Sequence, residues 1–145
     1  LKLRFNEIQN PNDFRALWPW VREGLDAVVR KTSPDWLVED IYAMLKTGLA
    51  KLVVATTEDG ALYGFFVWTA TQRPHSGKMD LCVMAGWTDP KKVVSLRERK
   101  EALAQAASVI RQIAASHNLE GAYFLSPRRG FERVGFKVNV ISYTI

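Results

Sequence analysis

A single carboxylate stands in an otherwise apolar run, Met79-Asp80-Leu81-Cys82-Val83-Met84-Ala85. A carboxylate so placed can take a proton from an amine about to act as a nucleophile. The same residue would also suit a strand start that faces water. Cys82 is the single cysteine, and no His or Asp lies at a spacing that would activate it, so a buried packing residue is expected. His75 follows Pro74 in a polar loop, where a base could meet solvent, and His117 closes a helical stretch, where a cation suits the helix dipole. With 2 histidines and 1 cysteine the chain cannot assemble a usual structural zinc site, and no metal is expected.

A second group of residues points to contacts. Arg128 and Arg129 are adjacent guanidiniums in a Pro/Gly turn, with Arg133 about one helical turn on, a spacing suited to an anion or an acidic protein surface. Of the 5 tryptophans, Trp18 and Trp36 fall near helical core stripes, whereas Trp20 and Trp87 fit no buried periodicity and are expected to mark an exposed interaction patch. Arg97-Glu98-Arg99-Lys100-Glu101 alternates in sign and reads as the solvated face of a helix rather than a nucleic-acid track.

The elements that position these residues are those of one domain. The chain has 145 residues, 48% hydrophobic and 24% charged, enough for one sizeable core and too few for two. The net charge of +5 is unevenly placed: residues 1–72 balance to −1 and residues 73–145 to +6, so an anion-binding surface belongs in the second half. A lone cysteine fits a reducing compartment, no apolar run is long enough to span a bilayer, and the first residues read as a strand rather than a signal peptide. The first residue, Leu1, fits a removed initiator methionine.

Leu3, Phe5 and Ile8 alternate as a first strand, and Asn10-Pro11-Asn12-Asp13 is a turn that can cap a helix carrying Phe14, Leu17, Trp18, Val21, Leu25 and Val28. Ser33 is expected to cap a second helix, with Pro34 at its first position, Leu37, Ile41, Met44 and Leu45 buried, and Gly48 as its stop. Period-two patterning from Lys51, the Glu58-Asp59-Gly60 turn and Leu62–Thr71 predict an antiparallel hairpin. Met79–Ala85 reads as a central strand. Asp89-Pro90 is expected to cap a long helix with Leu96, Leu103, Ala106, Ile110 and Ile113 on one stripe, followed by a strand from Gly121 to Leu125, a compact turn and a last strand from Phe136. The expected order is β-α-α-β-β-β-α-β-(α)-β, an α/β domain over residues 1–145 with a mixed, mostly antiparallel sheet.

That order resembles the GNAT superfamily of acetyl-CoA-dependent N-acyltransferases along nearly the whole chain. Gly130-Phe131-Glu132-Arg133-Val134-Gly135-Phe136 is similar to that family's late F-Y-E-K-x-G-F segment. Asp40-Ile41-Tyr42 with Leu45, Gly48, Ala50 and Leu52, and then Arg128-Arg129-Gly130-Phe131, resembles GNAT-like proteins encoded by phages and prophages. The resemblance implies that Leu81–Ala85 would pair with the pantetheine arm of CoA, and that Ala85, Gly86, Lys91 and Lys92 would lie at its phosphates.

Two departures bear on activity. The family's Gly-rich pyrophosphate loop is replaced by Ala85-Gly86-Trp87-Thr88-Asp89-Pro90-Lys91-Lys92, with one glycine, a proline lacking an N–H and a carboxylate. The usual general-acid tyrosine is replaced by Phe131, which leaves Tyr123 or Tyr143 to supply a proton. These departures favour a GNAT-fold protein of a phage particle or its assembly, without catalysis and with no cofactor, located in a virion or the host cytoplasm. Its partners would be other virion proteins, with neither membrane nor nucleic acid among them, and a homo-oligomer stays open. The alternative is an active N-acetyltransferase using acetyl-CoA on an amine of a protein or small molecule, with Asp80 and Tyr123 as candidate catalytic groups.

Overall fold

A computed structural model describes residues 1–124 and Gly135. The described elements run β1 (Arg4–Glu7), α1 (Pro11–Thr32), α2 (Val38–Thr47), β2 (Lys51–Thr56), β3 (Leu62–Gln72), β4 (Met79–Thr88), α3 (Leu96–Ser116) and β5 (Gly121–Phe124). The expected last strand and the short helix before it lie outside the described residues.

Local chemistry explains most boundaries. Asn10 caps α1, its side chain accepting from the Asn12 N–H at 2.8 Å, and Pro11 takes a first-turn position where a missing N–H costs nothing. Ser33 ends α1 instead of starting α2: it is left-handed, with φ 44°, and its N–H bonds Val29 O at 3.0 Å. Pro34 disfavours a right-handed helical residue before it, which is consistent with the helix stopping there. The second helix starts at Val38, where the Asp40 carboxylate accepts from the Leu37 N–H at 2.8 Å. Leu37 is consequently exposed rather than buried, and Ile41 is the fully buried residue of α2. Gly48, with φ 80°, stops that helix as expected.

The five described strands lie in sequence order, β1-β2-β3-β4-β5. All neighbours are antiparallel except β4 and β5, which run parallel because α3 crosses over between them. Two bulges break the register. Tyr63 is the extra residue between the Leu62↔Thr56 and Gly64↔Ala55 pairs, and Met84 is the extra residue between Ala85↔Val67 and Val83↔Trp68.

Each bulge reverses which face the following side chains meet. Before Met84, Leu81 and Val83 pack with Ile110 and Ala114 of α3; after it, Ala85 joins Val21, Leu25, Ile41, Phe65 and Val67 on the α1/α2 face. The sheet is thus covered on both sides, as its nearly unbroken apolar central strands require.

The long helix departs from expectation at its start. The fourth strand runs through to Thr88, with Asp89 N–H bonding Tyr63 O at 2.8 Å, so Asp89 continues the pairing and does not cap the long helix. Ser95 is the cap, its hydroxyl accepting from Glu98 N–H at 3.2 Å. Leu96 is therefore an exposed first-turn residue, and the buried stripe is Ala102, Ala107, Ile110 and Ala114. Among the described residues no helix is long and apolar enough to cross a membrane.

Candidate active site

The sequence candidates converge on β4 and the segment after it. At its start, Asp80 is buried and gripped by Arg73 across the β3–β4 hairpin: Nε donates to Oδ2 at 2.7 Å and Nη2 to Oδ1 at 2.8 Å. Arg73 beside it, against the opposing effect of burial, holds the Asp80 carboxyl below the usual carboxylate range. Asp80 is neither a water-facing strand start nor a free base; taking a proton there would require breaking a two-pronged ion pair. The hairpin register alone brings Arg73 to it, the Arg73 N–H bonding Lys78 O at 2.8 Å, and residue type gave no sign of the pairing.

Next along the strand, Cys82 is buried as expected, and burial pushes its thiol up, away from nucleophilic use. Cys82 is the register partner of Tyr123 on β5. The Tyr123 hydroxyl lies 2.9 Å from Thr71 Oγ1, and burial raises its pKa, so it remains protonated at neutral pH. Tyr123 is thus a half-buried phenol beside a threonine hydroxyl, two register pairs before the Met84 bulge.

Beyond the bulge, Ala85, Gly86, Trp87 and Thr88 remain strand rather than loop, so they cannot form a phosphate-wrapping turn. Ala85 is buried in the core and Gly86 is exposed. Trp87 turns inward onto Phe65 and Trp20, with ring centroids 5.8 Å and 5.7 Å away. Trp20 and Trp87 are therefore half-buried partners in the α1/α2 core and do not form the exposed patch expected of them. Their periodicity was unreadable because one lies beyond a bulge and the other beside Pro19 within α1.

Asp89 is also turned inward. Its carboxylate accepts from the Trp20 indole at 3.2 Å and from the Lys91 N–H at 3.0 Å, and its carbonyl accepts from the Lys92 N–H at 3.0 Å. The charge expected to repel phosphates is thus occupied within the protein. The same bonds use two backbone donors that a Gly-rich loop would leave free. Lys91 and Lys92 themselves are exposed.

His75 lies exposed in the β3–β4 connection, and His117 caps the end of α3, its Nδ1 3.0 Å from Ile113 O. Arg128, Arg129, Phe131, Arg133 and Tyr143 lie outside the described residues. Among the described residues, no three His, Cys, Asp or Glu side chains come together as metal ligands.

The fold of this chain, whose described strands form a mixed sheet with a bulged fourth strand and a parallel fifth, aligns end to end with solved acetyltransferases. A ribosomal-protein-alanine N-acetyltransferase from Brucella melitensis biovar Abortus 2308 is 18% identical, with 99% of this chain and 98% of that one covered, at a TM-score of 0.67. A GNAT family acetyltransferase from Staphylococcus aureus subsp. aureus USA300_TCH1516 is 14% identical, with 100% and 98% covered, at 0.63. The fold is that of the GNAT acetyltransferases. A predicted acetyltransferase from Clostridium acetobutylicum with acetyl-CoA shares this GNAT architecture at 10% identity, with 99% and 96% covered and a TM-score of 0.69. No family model and no curated protein matches the GNAT-fold chain in sequence.

Proposed function

We propose that this GNAT-fold chain is an N-acetyltransferase that holds acetyl-CoA along the second half of β4. The observation that carries the reading is the parallel pairing of β4 with β5, with the Met84 bulge in the β3–β4 register just beyond it and the protonated Tyr123 hydroxyl on β5 at the Cys82 pair. The full-length likeness to acetyltransferases, one of them with acetyl-CoA, favours this over a non-catalytic virion role.

The residues fit an anionic CoA tail in part through charge. Two exposed ammonium groups, Lys91 and Lys92, stand just before α3, and the nearby Asp89 carboxylate is engaged by Trp20. Bound acetyl-CoA would supply an activated acyl group. The chain's own contribution is to place an amine and hold a proton at the Tyr123 hydroxyl for the departing thiolate. Asp80, fixed by Arg73, would shape the floor of the site rather than carry protons.

Titration calorimetry with acetyl-CoA tests this. Micromolar binding is expected for the wild type, weakened about tenfold in Lys91→Ala/Lys92→Ala; no heat from either protein would overturn the proposal.

A further inference from the structure

On the α1/α2 face, at the other edge of the sheet, the fold leaves a groove of about 590 Å³ between the start of α1, the end of α2 and the first residues of β2. That volume is in the range of small-molecule sites. Phe14 and Trp18, one turn apart on α1, and Tyr42 on α2 form an aromatic wall, with ring centroids 4.7 to 5.8 Å apart. All three are half-buried, with part of each ring still accessible. Three cations line the same groove: Arg15, Lys46 and Lys51, each exposed, and no carboxylate lines it. The Lys46 ammonium stands 5.8 Å from the centre of the Tyr42 ring.

A purely structural account covers part of this. The aromatic wall closes the α1–α2 contact, and Lys46 in the last turn of α2 suits the helix dipole. It does not explain why Arg15 from α1 and Lys51 from β2 converge on the same hollow.

We infer that this groove is a second ligand site, separate from β4, for a small amphipathic anion: a flat aromatic body bearing one carboxylate or phosphate. The aromatic wall would stack on the body and the three cations would hold the anionic end. Its separation follows from the register. Lys51 lies opposite Trp68 and so level with Val83, where the second half of β4 begins, and that half runs away from it to Thr88, opposite Gly64, four residues along β3 and roughly 13 Å at strand rise. Strand β3 also stands between β2 and β4, adding about 10 Å across the sheet.

The test uses 2-naphthoate, 2-naphthyl phosphate, the neutral 2-naphthamide and inorganic phosphate, followed by calorimetry and by the Trp18 indole resonance. One of the two aromatic anions should bind saturably, at least tenfold tighter than the amide or inorganic phosphate, and which one binds separates a carboxylate from a phosphate ligand. Lys46→Ala/Lys51→Ala, two exposed positions, should weaken it at least fivefold, and Lys91→Ala/Lys92→Ala should leave it unchanged. Equal binding of acid and amide, no binding at millimolar concentration, or displacement by CoA would each overturn the inference. Failure of acetyl-CoA to bind anywhere would defeat the proposed transferase function and leave this site untouched.

Discussion

Arg73 and Asp80 form a two-pronged ion pair at the start of β4, with Nε and Nη2 of the arginine donating to the two carboxylate oxygens at 2.7 and 2.8 Å. Asp80 is almost completely buried, while the arginine keeps contact with solvent. Because Arg73 lowers the folded-state pKa of Asp80, the ion pair contributes stability above the unfolded pKa, near 4. That contribution disappears as pH falls through the lower folded value. Arg73→Ala should lower the thermal midpoint at pH 7 and flatten its acid dependence below about pH 4. Parallel acid limbs for wild type and variant in a melting series from pH 7 to pH 2 would show that the pair contributes nothing.

Trp20 and Asp89 tie α1 to the end of β4, with the indole N–H donating to the carboxylate at 3.2 Å. Trp20→Phe keeps a ring against Phe65 and Trp87 but leaves a buried carboxylate short of one donor. The cost should be about 1–3 kcal/mol. Trp20→Phe/Asp89→Asn should recover part of it, read as a double-mutant cycle in urea.

These contacts show where the fold was readable from residues and where it was not. Core spacing in α1 and the glycine stop at Gly48 depend on neighbours a few residues away, and both were legible. Ser33 was misread because a serine before a proline can end one helix as readily as begin the next. Asp89 was misread because whether β4 extends past Ala85 is decided by pairing with β3 through Tyr63, not by its own neighbours in sequence. The Arg73–Asp80 clamp and the inward turn of Trp87 depend on hairpin register and on the Met84 bulge, which leave no local signature.

Gly24 packs α1 against the aromatic cluster, where helix propensity and packing oppose each other. An added Cβ would stand 2.5 Å from Phe65 Cε1 and 2.6 Å from Trp87 Cε3. Alanine is the better helix former by about 1 kcal/mol, yet two rings would have to move. Gly24→Ala should therefore destabilise by about 1–3 kcal/mol in urea unfolding. A gain in stability would mean that the cluster is loosely packed.

Among the described residues the buried Tyr63 hydroxyl makes no hydrogen bond of ordinary geometry, and burial, aided by the nearby Glu98 carboxylate, pushes its pKa up to about 12. The unfolded phenol titrates near 10, so folding loses stability as pH rises from about 10 towards about 12. Tyr63→Phe should change stability at pH 7 by no more than about 1 kcal/mol and reduce the alkaline slope. Tyr123 and Cys82, whose pKa values are also raised, contribute to the slope that remains. A large loss at pH 7 would reveal a partner for the hydroxyl.

Tyr123 offers the sharpest test of the chemistry. Its hydroxyl is held protonated by burial and lies 2.9 Å from Thr71 Oγ1, and under the proposed function it is the group that would supply the proton. Tyr123→Phe removes one oxygen and leaves the ring in place. If the phenol protonates the departing thiolate, kcat for CoA release with a panel of peptides and polyamines bearing free amines should fall about 100-fold. The dissociation constant for acetyl-CoA should hold steady, since no binding contact is assigned to this oxygen. Thr71→Val should produce a smaller drop with the same pattern, because it disturbs the orientation of the hydroxyl and leaves its proton in place. A loss of acetyl-CoA affinity equal to the loss of kcat would instead assign Tyr123 to the binding surface, and unchanged turnover would move the proton source to another group.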